Sequence, residues 1–160
     1  MRTAIAVLCF LLASSASAEL RVSFVEGAPK DRFVIENASP CPLRDATLRI
    51  DLEGSAAGLI FDTTEAGAGV EVFQPFELVE GTESLSDVPR VKDGDRAVAL
   101  AVSALAPGAR IVFTIDVDDT AGAREITVTD AEIEGASVSV GPAKAAFGSD
   151  ARATMPLPCR

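Results

Sequence analysis

The feature that most constrains the fold is an alternation of apolar and polar residues that recurs along the chain. In residues 47–52 every second side chain is apolar, namely Leu48, Ile50 and Leu52. A period of two is that of a strand with one buried face. The same period recurs in residues 70–78, 98–102 and 111–117. Glycine and proline separate these runs, and no stretch has the spacing of an amphipathic helix, so the sequence predicts an all-β chain folded as a single antiparallel β-sandwich.

Shorter runs add further strands to this prediction. We expect them at residues 20–27, 31–38, 58–64, 124–135 and 136–141. The C-terminal tail is less regular, and it either adds an edge strand or lies across the domain until Cys159 pins it.

The first eighteen residues have the layout of a secretory signal peptide. The stretch MRTAIAVLCFLLASSASA begins with a positive charge at Arg2, continues with an apolar run and ends on Ala16-Ser17-Ala18. That run is too short for a membrane-spanning helix, which needs about 20 residues. We therefore expect residues 1–18 to be removed, and residues 19–160 to form one domain that is secreted or periplasmic and does not insert into a membrane.

Two cysteines remain after that cleavage, Cys41 near the start of the domain and Cys159 next to its last residue. In an oxidising compartment an isolated pair predicts a disulfide. Two unpaired thiols are the alternative. No Cys-x-x-Cys spacing is present that would favour redox catalysis.

The composition excludes several kinds of chemistry. The chain has no histidine, which removes the usual base of serine and cysteine hydrolases and the commonest zinc ligand. It has no tryptophan or tyrosine, which disfavours sites that stack sugars or bases on aromatic rings. Its formal net charge of −10 will repel nucleic acid and anionic lipid. We therefore predict a protein that is not an enzyme and binds no nucleic acid.

Three aspartates lie at the end of the strand predicted for residues 111–117, in the stretch TIDVDDT. Asp116, Asp118 and Asp119 either collect a hard cation such as calcium or only mark where a strand meets water and the chain turns. Side chains two apart on a strand lie about 7 Å from each other, so a calcium site would need oxygens from other loops. The candidates are Asp93 and Asp95, followed by Asp62 and Glu125.

Two further patterns carry less information. Asn37-Ala38-Ser39 matches the N-glycosylation sequon, which is short enough to arise by chance. A pair of carboxylates could serve a hydrolase. Acidic residues occur on most predicted strands and turns, however, so the sequence singles out no pair.

Several longer stretches resemble known proteins, in two ways. The layout of DRFVIENASPCPLRDATLRIDLEGS followed by LAPGARIVFTIDVDD resembles the immunoglobulin-like modules of bacterial surface proteins. The segments GLIFDTTEAGAGVEVFQPFEL, VKDGDRAVALAVSALAPGARIVFTIDVDD and REITVTDAEIEGASV are similar to short secreted bacterial proteins labelled aggregation factor core proteins. The similarity covers Arg32 to about Val140. The label comes from the sponge cell-aggregation proteoglycan, whose core protein is associated with Calx-beta-like modules and calcium-dependent adhesion.

The resemblance implies an immunoglobulin-like β-sandwich that is secreted, non-catalytic and active in extracellular contact, such as adhesion or aggregation, with a protein or cell-surface partner. If calcium dependence carries over from that family, the candidate calcium ligands are Asp116, Asp118 and Asp119, followed by Asp93 and Asp95. The alternatives are an accessory or ligand-binding module of an envelope assembly, and a carboxylate-based envelope hydrolase.

Overall fold

The computed structural model describes residues 18–63, 74–120, 127–157 and 159. Within these residues the chain forms ten strands and one 3-10 turn at Thr82–Ser84. The strands are β1 (Glu19–Val25), β2 (Asp31–Asn37), β3 (Leu43–Asp51), β4 (Ile60–Asp62), β5 (Glu77–Glu80), β6 (Ala97–Leu105), β7 (Arg110–Asp118), β8 (Ser137–Val140), β9 (Ala143–Ala146) and β10 (Arg152–Pro156). The predicted all-β fold is confirmed.

The strands form two antiparallel sheets. The first sheet has the order β10-β1-β2-β7, and the second has the order β6-β3-β8-β9. On its far edge β7 pairs with two short strands, with β4 along residues 116–118 and with β5 along residues 112–114. One hydrophobic core contains side chains from both sheets, which confirms the predicted β-sandwich.

The predicted alternation places the core side chains. Ile111, Phe113, Ile115 and Val117 of β7 are all buried in the core. At the centre of the core, the Phe33 ring stacks on Phe113 with ring centroids 5.0 Å apart. Because these side chains fill the space between the sheets, the alternate residues of β7 lie on the face of the sheet that points away from the core.

The strand predicted at residues 124–135 is wrong over its described part. Residues 127–136 form successive turns instead. Ile133 is fully buried, while the backbone carbonyls of Glu132 and Glu134 accept hydrogen bonds from Ala57 N–H and Ala56 N–H. The segment therefore satisfies its backbone groups against a neighbouring loop, and not in a strand ladder.

The tail forms the edge strand β10, and the predicted disulfide is present. Cys41 and Cys159 are bonded with Cα atoms 5.6 Å apart. Cys41 lies between β2 and β3, and Cys159 lies beyond β10, so the bond ties the last strand to the loop after β2. Residues 1–17, which carry most of the predicted signal peptide, lie outside the described residues, as do Val70 and Val72 of the alternation at residues 70–78.

The sequon at Asn37 has a structural role in this fold. Asn37 Nδ2 donates hydrogen bonds to the backbone carbonyls of Cys41, at 2.8 Å, and of Leu105, at 2.9 Å. Asn37 Oδ1 accepts hydrogen bonds from the N–H and the hydroxyl of Ser39. The Asn37 amide is fully buried and its groups are engaged, so in the folded protein this side chain shapes the loop that presents Cys41.

Candidate functional site

Three aspartates lie together where β4 pairs with β7. The register places Asp62 of β4 directly opposite Asp116 of β7, and Asp118 lies two residues further along the same face of β7. Asp62 is fully buried, and Asp118 is only 5% exposed. Carboxylates are rarely buried unless they are paired or hydrogen-bonded. We call Asp62, Asp116 and Asp118 the carboxylate cluster.

The sequence on each strand explains why these side chains share a face. Phe61 lies in the core, so its neighbour Asp62 points to the opposite face of the sheet. On the side of β4 away from β7, Phe61 N–H donates to Asp95 O at 2.8 Å, and Gly94 N–H donates to Phe61 O at 2.9 Å. The three-residue strand β4 is therefore held between β7 and the turn at residues 92–95.

A fourth aspartate, Asp31 at the start of β2, approaches the cluster from the other side of β7. Asp31 is 1% exposed. Its Oδ1 accepts a hydrogen bond from Gly27 N–H at 3.0 Å, and its Oδ2 accepts one from Val117 N–H at 3.1 Å. Burial raises the pKa of Asp31 to about 7, against the two backbone hydrogen bonds and with smaller contributions from Asp116 and Glu26.

Asp116 is the electrostatic centre of the cluster. Burial, which is the largest cause, together with the charges of Asp62 and Asp118, raises its pKa to about 7. A hydrogen bond with the Val117 backbone and the charge of Lys30 act in the opposite direction. At neutral pH the Asp116 carboxyl is therefore divided between its protonated and its ionised form.

The cluster contains a buried oxygen atom that accepts no hydrogen bond from the residues that the structure describes. Asp118 Oδ1 accepts one from Asp119 N–H at 2.9 Å, but Asp118 Oδ2 has no hydrogen-bond partner in the described part of the chain. Buried oxygens without a donor are uncommon in folded proteins. Among the described residues, Asp118 Oδ2 is thus an acceptor that is open to a further donor or a cation.

The nearest lysine is engaged elsewhere. Lys30 Nζ donates to Pro75 O at 2.9 Å and lies 2.9 Å from Glu77 Oε2. Gln74, the residue before Pro75, is 7% exposed, and its Oε1 is another buried oxygen for which the described residues provide no hydrogen-bond donor. The charge of Lys30 lowers the pKa of Asp116. Its direct contacts, however, are with Pro75 and Glu77, and not with the carboxylate cluster.

The structure separates the predicted cation ligands into groups. Asp116 and Asp118 lie with Asp62. Asp119 is also buried and follows directly in the chain. Asp93 Oδ1 accepts a hydrogen bond from Thr63 N–H at 3.2 Å, next to Asp62, whereas Asp95 Oδ2 accepts one from Lys92 N–H within its own turn. Glu125 lies outside the described residues.

No three acidic or cysteine residues in the described ranges are arranged so that they could hold a metal ion. Cation binding at Asp93, Asp95, Asp116, Asp118 and Asp119 therefore stays a prediction. Asp31 carries no signal in the sequence, because an aspartate that precedes a strand is ordinary turn chemistry. Only the register, which pairs Asp31 with Ile115, shows that it is buried beside β7.

A separate feature lies on the outer face of β1, β2 and β10. It is an open groove of about 660 Å³ whose polar lining includes Arg21, Ser23, Glu36, Asp150 and Arg152. The lining carries both signs of charge. The volume is within the usual range for ligand sites, about 300 to 1,000 Å³, although such sites are mostly apolar.

The exposed apolar residues form no obvious contact patch. Among the described residues the large apolar side chains that are exposed are Val25, Val79 and Val88, which come from β1, from β5 and from the loop before β6. Single exposed apolar residues are normal on protein surfaces. A contact made by the described surface would therefore be mainly polar.

Comparison with protein-family models, with curated proteins and with solved structures finds no match for this chain. Its function has to be argued from its own residues: the carboxylate cluster, the groove, the disulfide and the absence of histidine.

Proposed function

We propose that the protein is a secreted, non-catalytic β-sandwich that acts by contact with a protein or cell-surface partner, in adhesion or in aggregation. The observation that carries the proposal is the disulfide between Cys41 and Cys159, which closes a small all-β domain. Disulfides persist in oxidising compartments, where small contact domains depend on them. The signal-like sequence of residues 1–18 supports the same location.

The residue chemistry supports a non-catalytic role. The chain has no histidine, and the disulfide occupies Cys41 and Cys159. In Asp31, one of the two carboxyls with a raised pKa, both oxygens accept backbone hydrogen bonds that tie β2 to its neighbours. A carboxyl engaged in this way is poorly placed to exchange protons with a substrate.

We also propose that the chain is related to the immunoglobulin-like modules of bacterial surface proteins and to the short secreted bacterial proteins labelled aggregation factor core proteins. The support is the layout of strand and turn sequences from Arg32 to about Val140, together with the two antiparallel sheets over one core.

We propose further that binding to the partner depends on calcium. Asp62, Asp116 and Asp118 lie on one face, and Asp118 Oδ2 lacks a hydrogen-bond donor among the described residues. Calcium binds six to eight oxygens, so backbone carbonyls and water would supply the remainder. In this form a cation bound at Asp116 and Asp118 links the end of β7 to partner binding.

The experiment that tests the contact function uses the exported, purified protein. Its self-association is measured by analytical ultracentrifugation, and its binding to cells of the source organism is measured by flow cytometry, both in millimolar calcium and in chelator. We expect association or cell binding in at least one condition. A protein that stays monomeric and binds no cells in both conditions would refute the contact function. Equal binding in calcium and chelator would remove only the calcium-dependent form.

The groove favours a second candidate, a ligand-binding module of an envelope assembly. Arg152 lines the groove, and its guanidinium group has no ion-pair partner among the described residues. A thermal-shift screen of anionic and zwitterionic saccharides and peptides tests this function. A stabilising ligand should lose its effect in Arg152→Ala and keep it in Arg44→Ala, since Arg44 is exposed on β3 of the other sheet. The same shift in both variants would argue against the groove.

A further inference from the structure

We propose that two copies of the chain associate by exchanging β10. In such a dimer, β10 of each copy pairs with β1 of the other copy, and the connection between β9 and β10 opens so that the strand can cross over. The inference names a second copy of the chain as the partner, and it therefore rests on the contact function proposed above. It deepens that function by describing how the two copies are joined.

The contacts that hold β10 are ones that a second copy also offers. The strand pairs with β1 at all five of its residues. Its side chains Ala153 and Met155 are nearly fully buried in the core. Beyond the strand, Leu157 N–H donates to Ala18 O at 2.7 Å and continues the pairing. In an exchanged dimer these partners come from β1 and the core of the other copy, so exchange conserves the pairing and the burial of β10.

The connection from β9 to β10 holds one residue in an unfavourable backbone conformation. Ala151 lies in this connection, is fully buried and has a φ of 55°. The left-handed region is unfavourable for a residue with a Cβ. The other non-glycine residue with a positive φ in the described ranges is Asp45, and aspartate tolerates this region better. Strain in a short hinge favours strand exchange, because an open hinge releases it.

The hydrogen bonds of the connection show where the hinge lies. Gly148 N–H donates to Arg152 O at 2.9 Å, and Ala151 N–H donates to Gly148 O at 3.0 Å. Residues 149–150 at the tip are exposed, so water can replace these bonds when the turn opens. Phe24 N–H of β1 donates to Ala151 O at 2.9 Å, so this carbonyl already belongs to the exchanged ladder. The φ bond of Ala151 therefore separates the turn from the exchanged strand.

The disulfide is placed so that exchange would turn it into a cross-link. Cys159 follows β10 and moves with it, whereas Cys41 lies in the loop after β2. That loop is held by Asn37 and Ser39 and does not need β10. With β10 on the other copy, Cys159 of one copy meets Cys41 of the other at the same Cα separation of 5.6 Å, which suits a disulfide. Each exchanged dimer would therefore be closed by two inter-chain disulfides.

Isotope mixing tests the exchange in the wild-type protein. Exported protein, one half labelled with nitrogen-15, is mixed, unfolded, reduced and refolded at submillimolar concentration in chelator with reduced and oxidised glutathione. For each disulfide, two thiols pass two electrons and two protons to oxidised glutathione, which becomes two thiols. The dimer is isolated by size exclusion and digested, and the Cys41–Cys159 linked peptides are analysed by mass spectrometry. We expect a covalent dimer in which half of the linked peptides join a labelled to an unlabelled chain. Samples refolded separately and then mixed are the control and should give no mixed peptides.

Two alanine-to-glycine variants test the hinge. Glycine adopts a positive φ freely, so Ala151→Gly relieves the monomer of its strain. We expect it to lower the ratio of dimer to monomer after refolding at equal concentration by roughly tenfold or more, because each dimer has two hinges. The matched control is Ala153→Gly, which removes a buried methyl group from β10 at a residue without a positive φ. Its ratio should equal that of the wild type, because Ala153 has the same contacts in both forms.

Three results would overturn the exchange. The first is the absence of a dimer after refolding at submillimolar concentration. The second is a dimer whose linked peptides each come from one isotope, because the copies would then associate through intact surfaces. The third is a dimer ratio in Ala151→Gly equal to that in Ala153→Gly. If either variant does not fold, the isotope result in the wild type decides. The first two results leave the contact function standing where the protein still binds cells or self-associates.

Discussion

Removal of the disulfide should destabilise the protein strongly, and the size of the effect can be worked from the chain. Cys41 and Cys159 are separated by 118 residues, so the bond closes almost the whole described domain into a loop. The chain-entropy expression for a loop of that length gives about 4.9 kcal/mol of stabilisation at 25 °C. The perturbation is the double variant Cys41→Ser/Cys159→Ser, compared with the oxidised protein.

The position of the disulfide also predicts which strand loosens first when the bond is removed. β10 is the last strand before Cys159, and its only partner in the first sheet is β1. On the other side of the bond, Asn37 and Ser39 hold the loop of Cys41 through hydrogen bonds to its carbonyl. Without the bond, the loop keeps its hydrogen bonds, while β10, an edge strand, keeps its pairing with β1 and the core packing of Ala153 and Met155. We therefore expect β10 to lose hydrogen-exchange protection before β2 does.

The assay is thermal and urea unfolding followed by circular dichroism. For a domain of this size the entropy of unfolding is about 0.3 kcal/mol/K, so about 4.9 kcal/mol corresponds to a midpoint lowered by about 15 °C. The urea m-value should increase, because the denatured chain without the cross-link exposes more surface. Wild-type protein unfolded in reductant is the control and should match the double variant.

A midpoint lowered by only a few degrees, with an unchanged m-value, would refute the loop-closure reasoning. It would mean that the denatured state is already compact or that the bond strains the native state by a similar amount. A double variant that no longer unfolds cooperatively would mean that the bond is needed to form the native state, which the entropy argument does not predict.

Three further predictions concern single side chains. Because burial raises the pKa of both Asp116 and Asp31 to about 7, the free energy of unfolding should fall between pH 5 and 7, by about 1.4 kcal/mol per pH unit for each proton that only the folded state holds, and Asp116→Asn should reduce this slope in urea titrations while Asp31 keeps the rest of it. Asn37→Ala should lower the free energy of unfolding in urea by about 2 kcal/mol, because it removes the two hydrogen bonds from Asn37 Nδ2 to the carbonyls of Cys41 and Leu105, each of which contributes about 1 kcal/mol. Gly135→Ala should lower the melting temperature far more than Gly108→Ala: both have positive φ, but only at Gly135 would a Cβ lie 2.4 Å from a backbone oxygen, that of Gly54.

The sequence predicted best where burial imposes a period on one strand. The alternation of Ile111, Phe113, Ile115 and Val117 is a property of nearest neighbours along the chain, and the structure buries all four in the core. Residues 127–136 were misassigned because Val128 and Ile133 are buried one at a time between turns. Such a segment is stabilised by contacts with a distant loop, and a local pattern does not contain them.

The candidate site shows the same limit. Asp116 and Asp118 stand out in the sequence because they interrupt an apolar strand. Their neighbours Asp62 and Asp31 are 54 and 85 residues earlier than Asp116, and only the pairing of β4 and β2 with β7 brings them close. A hydrogen bond from Thr63 N–H places the Asp93 carboxylate beside Asp62, whereas the Asp95 carboxylate accepts one from Lys92 N–H in its own turn. Register is a tertiary property, so the sequence could nominate residues for the site but could not choose among them.

Protonation of Asp116 and calcium binding at Asp116 exclude each other, and this exclusion sharpens the test of the calcium-dependent contact. Burial raises the pKa of Asp116 to about 7, and a carboxyl that holds a proton is a poor ligand for a cation, so calcium binding at Asp116 and Asp118 would have to displace that proton. Calcium affinity would then rise with pH between pH 5 and 7. If calcium binds there, it should raise the melting temperature more at pH 8 than at pH 5.5, and this effect should be lost in Asp116→Asn/Asp118→Asn. If calcium leaves the melting temperature unchanged at both pH values, the contact function rests on the remaining surface of the sandwich.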